Sequence, residues 1–138
     1  MKPETGHFLA KARRLLGEAD GMQAMHYNDA AGRTAYLAGF HAAQALIFER
    51  TGKAAKTHNG VHTEFQRLSK DNRDLDPELR VFLSQTYNLK SIADYETGPG
   101  SEVSPEKSAE AVTAAKRFVI EIAKLIESAA KDAVKRGE

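Results

Sequence analysis

The run GRTAYLAGFHAAQALI, residues 32–47, decides the fold. Tyr36, Phe40, Ala43 and Ile47 follow one another at +4, +3 and +4, the spacing of one helical face. Gly32, Ala35, Gly39 and Ala42 line a neighbouring face, where small side chains let a second helix come close. A helix apolar on two faces belongs at the centre of its domain. Asn28 or Asp29 can cap its start, and Thr51-Gly52-Lys53 ends it after Arg50.

The segments on either side carry the same three-to-four-residue period, and none alternates every second residue. Before the central run, Phe8, Leu9, Ala12, Leu15, Leu16 and Ala19 form a stripe. They predict a helix from about Pro3 to Asp20, with Gly21 at its C-terminal end. After the run, Val61, Phe65 and Leu68 predict a third helix from about His58 to Lys70. Asp76 can cap a fourth, opened by Pro77 and reaching about Tyr95, with Leu79, Phe82, Leu83, Leu89 and Ala93 facing inward. ETGPGSEVSPE, residues 96–106, is rich in glycine and proline and reads as a mobile connection. Ser104 then caps and Pro105 opens a fifth helix. Its stripe is Val112, Ala115, Val119, Ile122, Ile126, Ala129 and Ala133, widened by Phe118 and Leu125. About thirty helical residues would span ~45 Å, more than a domain of this size needs. The end, KDAVKRGE, is therefore expected to fray or to meet a partner. The expected architecture is all-α, an antiparallel bundle of four to five helices in a single domain 1–138, with an ordered core of about 5–128.

Length and composition set bounds around this fold. A chain of 138 residues is one domain at ~100–200 residues each. It has no cysteine, which removes disulfides, thiolate catalysis and cysteine zinc sites. Lys+Arg is 20 and Asp+Glu is 19, a net charge of +1, so any nucleic-acid contact must come from a local patch. The N-terminus lacks the apolar run of a signal peptide, and no stretch approaches ~18 consecutive apolar residues. A cytoplasmic protein with no membrane contact is expected.

A few polar residues could carry chemistry. His58 and His62 lie four apart, the spacing with which two imidazoles share a metal. No third or fourth ligand stands near them, so no metal site is assigned; the alternative is that His58 caps or lines the helix start and His62 packs or is solvated. His41 reads as a hydrogen-bonded core histidine or a catalytic one. Arg33 either grips a phosphate with its guanidinium fork or pairs with an acidic residue of the bundle. Tyr87, Lys90 and Asp94 share one face of the fourth helix, as solvated polar residues commonly do. Tyr95, five residues after Lys90, would point away from it in a regular helix.

Taken in order, these residues resemble one family. The pattern is Arg33-x-x-Tyr36-x-x-x-Phe40-His41-Ala42-Ala43, then Lys56-Thr57-His58-x-Gly60-Val61, then Tyr87 and Ala93-Asp94-Tyr95. It resembles the HEPN family of small helical prokaryotic proteins, from Phe8 to about Ile126. The resemblance implies a bundle that often dimerises. Many members cut RNA without metal, as toxins of toxin–antitoxin pairs or in defence systems. Others bind nucleotides or support a partner, often a small nucleotidyltransferase. The family's active motif is an arginine followed after four to six residues by a histidine, late in the fourth helix, where two subunits meet. Here Lys90 stands where related sequences often have the arginine, and Tyr95 where the histidine would fall. Lys90 keeps the charge but loses the fork, and a tyrosine is far less suited than histidine to proton transfer at neutral pH.

The resemblance therefore implies two functions, beside the plainer reading of a structural bundle that only dimerises. One is a metal-independent endoribonuclease toxin with a degenerate motif. The other is a non-catalytic nucleotide- or partner-binding module associated with a nucleotidyltransferase. Under the first, Lys90, Asp94 and Tyr95 are the catalytic candidates, and Arg33, His58 and Tyr87 hold nucleotide or RNA. His58 or Asp94 would take the proton of the 2′-hydroxyl. No metal or cofactor is expected. Expected partners are a second copy of the chain, a cognate nucleotidyltransferase antitoxin, and RNA or a nucleotide. The site should lie open to solvent beside the ETGPGSE loop.

Overall fold

A computed structural model describes residues 1–70, 72–135 and 137, with residues 129–135 as backbone only. Six helices and no strand are present among the described residues: α1 Pro3–Ala24, α2 Asn28–Thr51, α3 His58–Ser69, α4 Pro77–Arg80, α5 Phe82–Tyr95 and α6 Pro105–Lys135. As expected, α2 is the central helix and packs on α1, α3, α5 and α6. Every residue of its two small and apolar faces except Phe40 is buried. Gly39 shows why the position is small. A Cβ there would sit 2.2 Å from Cε1 of Phe82 on α5. That ring in turn stacks on Phe118 of α6 at 4.7 Å between centroids. α1 runs antiparallel to α2, and its start is tied to the end of α2 by Lys2 N–H and Thr5 Oγ1, both donating to Glu49 Oε1 at 2.9 Å.

Several element ends differ from expectation. α1 continues through Gly21 to Ala24. It is closed by His26, which adopts a left-handed φ of 64°. The His26 N–H donates to the Gln23 carbonyl at 3.0 Å and the Tyr27 N–H to that of Met22 at 2.9 Å. This two-bond closure, not Gly21, stops the helix. Asp29 does not cap α2. Its Oδ1 accepts the Val103 N–H at 2.7 Å, and Val103 is buried, so the second half of the connection expected to be mobile is anchored on α2. Thr57, not His58, caps α3, with Oγ1 accepting the Gly60 N–H at 2.9 Å.

The expected fourth helix is two. The break falls at Val81, whose φ −98° and ψ −1° lie in the bridge region. The Arg80 carbonyl accepts a hydrogen bond from Gln66 Nε2 of α3 at 2.6 Å, and the Val81 carbonyl accepts one from Ser84 Oγ at 3.0 Å. The Gln66 side chain thus takes a carbonyl that a continuous helix would offer to the Ser84 N–H, whereas the Val81 carbonyl still accepts the Gln85 N–H at 3.0 Å. The break lets Phe82 lie on Gly39. Asp76 caps α4 as expected, accepting the Glu78 N–H at 2.9 Å. Ser104 likewise caps α6, accepting the Lys107 N–H at 3.1 Å.

The α6 stripe is buried at Val112, Ala115, Phe118, Val119, Ile122 and Ile126, and half-buried at Leu125. The remaining expected members, Ala129 and Ala133, and the fate of the KDAVKRGE end lie outside the residues whose side chains are described. Of the inward residues expected on the fourth helix, Leu79, Phe82, Leu83 and Leu89 are buried and Ala93 is half-buried. Among the described residues no helix is long and apolar enough to cross a membrane.

Candidate functional site

Tyr36 reaches its position by fitting the apolar stripe of α2, and it is fully buried. Its hydroxyl cannot stay unpartnered there without a cost of ~1–3 kcal/mol. Two histidines of α3 meet it. His58 Nδ1 and His62 Nε2 each lie 2.8 Å from Tyr36 Oη. They can do so because residues four apart share a helical face. A tyrosine hydroxyl carries one proton, so it donates to one imidazole and accepts from the other. Tyr87 of α5 closes the group, its ring 5.3 Å from that of Tyr36 and 5.5 Å from each histidine. Phe40 lies 4.6 Å from the His58 ring on another side.

One turn beyond Tyr87, Lys90 extends over this aromatic group. Its Nζ is 5.9 Å from the Tyr87 centroid and 5.5 Å from that of Tyr95. It donates to Asp94 Oδ2 at 2.7 Å, and Asp94 Oδ1 accepts from Arg33 Nε of α2 at 2.7 Å. Two cations share one carboxylate, which leaves a net positive charge. Lys90 is 8 % exposed, whereas Tyr95 is 74 % exposed.

The electrostatics follow from burial and neighbours. The Lys90 hydrogen bond, and after it the Arg33 guanidinium, hold the Asp94 carboxyl below the usual carboxylate range. Burial, then the Lys90 charge, push the His58 imidazole below its ordinary value, against an opposing pull from Asp94. Burial, then His58, do the same to His62. Both rings therefore favour the neutral form at neutral pH. Burial, then Tyr87, push the Tyr36 hydroxyl up, so it keeps its proton.

The six residues expected in the site, Arg33, His58, Tyr87, Lys90, Asp94 and Tyr95, thus fall in one cluster built from α2, α3 and α5. Three expectations need correction. The face carrying Lys90 is not a solvated one, because α5 turns the lysine stem inward between Tyr87 and Tyr95. Tyr95 does not point away from Lys90. The loop after α5 does not leave the whole site open: Tyr95 is exposed, but Lys90 is covered. Of the two readings of Arg33, the ion pair is the one formed. His41 is half-buried with Gln44 beside it, and burial, with Lys11 next and against the pull of Gln44, pushes the ring down to about 4.

From the sequence His62 is weighed for chemistry only as a metal ligand, and Tyr36 is given no chemical role. The signal was present: a tyrosine rather than a phenylalanine at a buried stripe position must find a partner for its oxygen. Among the described residues no three histidine, aspartate or glutamate side chains gather as a metal set. The i, i+4 histidine pair turns its nitrogens to Tyr36 instead. A groove of about 500 Å³ lined by Leu79, Phe82, Leu89, Ala111 and Arg117 lies on a different face of α5 and includes none of the cluster.

Compared with known proteins, a model of the HEPN domain matches residues 6–128, most of the chain. No curated protein matches it.

Proposed function

The chain belongs to the HEPN family, and from that premise we propose that it cuts RNA without a metal, at the cluster of His58, Lys90, Arg33, Asp94 and Tyr95. Such cleavage has three requirements. The 2′-hydroxyl must lose a proton, the leaving 5′-oxygen must gain one, and the charge on the phosphorane must be neutralised. His58 meets the first and, by handing a proton back to the 5′-oxygen, the second. Its Nδ1 is held by Tyr36, and its Nε2 has no partner among the described residues and is not buried. Lys90 and Arg33 meet the third, aligned by the one carboxylate of Asp94. Tyr95 offers its exposed ring to a base, a contact worth ~1–3 kcal/mol. The observation that carries the reading is the free Nε2 of a neutral imidazole held within electrostatic reach of Lys90.

A toxin role with a nucleotidyltransferase antitoxin, a homodimer and a cytoplasmic location belong to the same proposal. A solution mass near twice 15.1 kDa would support the dimer and a monomer mass would count against it. The test of the function is incubation of the purified chain with end-labelled single-stranded RNA, with and without chelator. Products ending in 2′,3′-cyclic phosphate and 5′-hydroxyl, formed equally with chelator, are expected. Cleavage abolished by chelator, or no cleavage at all, would overturn it.

The second reading is a nucleotide-binding module that supports a partner. It is favoured by Lys90, which is already paired with Asp94 at 2.7 Å and mostly covered. A chain that binds a nucleotide yet leaves RNA intact would select it.

A further inference from the structure

The mechanism above uses one nitrogen of His58. The atoms behind it have a property that a single base does not need. Tyr36 Oη lies 2.8 Å from His58 Nδ1 and 2.8 Å from His62 Nε2. With one hydroxyl proton, this triad has two complete arrangements of its hydrogens. In the first, His58 Nδ1–H donates to Tyr36 Oη, and the Tyr36 hydroxyl donates to His62 Nε2. His58 Nε2 is then an acceptor and His62 Nδ1 carries a proton. In the second, His62 Nε2–H donates to Tyr36 and Tyr36 donates to His58 Nδ1, so that His58 Nε2 carries a proton and His62 Nδ1 is the acceptor. Both arrangements satisfy every member and leave every ring neutral. Neither outer nitrogen, His58 Nε2 or His62 Nδ1, has a partner among the described residues, and neither is a buried orphan. The triad is therefore closed in the middle and open at both ends.

We propose that His58, Tyr36 and His62 form a two-state proton relay, in which His58 exchanges protons with substrate while Tyr36 and His62 pass the balance to solvent. The use of the relay rests on the cleavage reading; its existence does not. The 2′-oxygen attacks phosphorus, and its proton goes to His58 Nε2. His58 gives its Nδ1 proton to Tyr36, Tyr36 gives its own to His62 Nε2, and His62 gives its Nδ1 proton to water. As the bond from phosphorus to the 5′-oxygen breaks, the flow reverses. Water returns a proton to His62 Nδ1, and His58 Nε2 donates one to the 5′-oxygen. The cyclic phosphate and the 5′-hydroxyl leave, and the triad regains its first arrangement. No imidazolium forms at any point. The surroundings favour that route, because burial and the adjacent Lys90 ammonium both disfavour a positive His58. His58 is the catalytic residue here, and Tyr36 and His62 act through it.

The test has a spectroscopic arm and a kinetic arm, both on the full chain. Long-range ¹⁵N–¹H correlation spectra at pH 7 report which nitrogen of each ring carries the proton. The relay predicts averaged ¹⁵N shifts at both nitrogens of His58 and of His62, and loss of that averaging in both rings in Tyr36→Phe. Two rings each fixed in one tautomer and unaffected by Tyr36→Phe would overturn it. If Tyr36→Phe does not fold, His62→Gln serves. Its side-chain amide preserves a partner for Tyr36 near the Nε2 position but removes the Nδ1 outlet. Single-turnover cleavage by His62→Gln should fall about 10²-fold. A wild-type rate would mean that His62 only holds Tyr36 in place, and would overturn the relay. A wild-type chain that cuts no RNA would remove the cleavage reading alone, and the spectra would still decide the relay.

Discussion

Lys90 carries its charge under cover, and that shapes what its removal should do. The stem lies against Tyr87 and Tyr95, and Nζ spends its strongest hydrogen bond on Asp94. Lys90→Met keeps most of the stem and removes the charge. Asp94 retains Arg33, so the stability lost should be only about 1 kcal/mol. Cleavage should fall ~10²–10³-fold, because the phosphorane loses its nearest cation. Single-turnover rates and a melting curve on the same preparation check both halves. Much of this site was legible at the residue scale. The i, i+4 pair of Lys90 and Asp94 is visible in the spacing alone. The bond from Arg33 to Asp94 spans 61 residues of chain, and no local pattern reveals it. Only the resemblance grouped those residues. Tyr36 was hidden for the opposite reason: a buried tyrosine completes an apolar stripe as well as phenylalanine does, and its oxygen makes itself known only when partners are in view.

At the scale of elements, the small-residue face of α2 is what allows α5 to lie close enough to present Lys90. Gly39 meets the flat ring of Phe82, itself stacked on Phe118, so the ring has little room to yield. Gly39→Ala should therefore cost ~1–3 kcal/mol through overpacking. Chemical denaturation that leaves the midpoint unchanged would contradict the packing described for α2 and α5. The stripe was legible because it is local. The break at Val81 was not, because the group that takes the Arg80 carbonyl is Gln66 of another helix. The end of α1 was misplaced for a related reason. Gly21 is a common terminator, but its backbone stays helical, and the left-handed residue is His26.

Over the whole molecule, the histidines couple stability to pH. His41 is pushed from an ordinary 6.5 down to about 4. His58 and His62 are lowered as well. In each case the unfolded chain binds the proton more readily than the fold does. The stability they contribute is complete above pH 6.5 and is lost as pH falls from there towards 4. For the partly exposed His41 ring the loss should be about 2 kcal/mol. Asp76 and Asp94, whose carboxyls are held low, add their losses only below about pH 4. Unfolding free energies measured from pH 7 to 4.5 should decline, and His41→Gln should flatten most of the slope. A flat profile in the parent would contradict the placement of these rings.

The cluster joins α2, α3 and α5 around a neutral imidazole, and its chemistry turns on His58 Nε2. His58→Asn isolates that atom, because the asparagine amide can still meet Tyr36 near the Nδ1 position while nothing replaces Nε2. The most direct measurement is the single-turnover rate at which His58→Asn cuts RNA, set beside the parent at pH 7 in chelator. A fall of ~10²–10⁴-fold with an unchanged melting temperature is the result predicted. A rate equal to the parent's, from a protein equally well folded, would contradict the account.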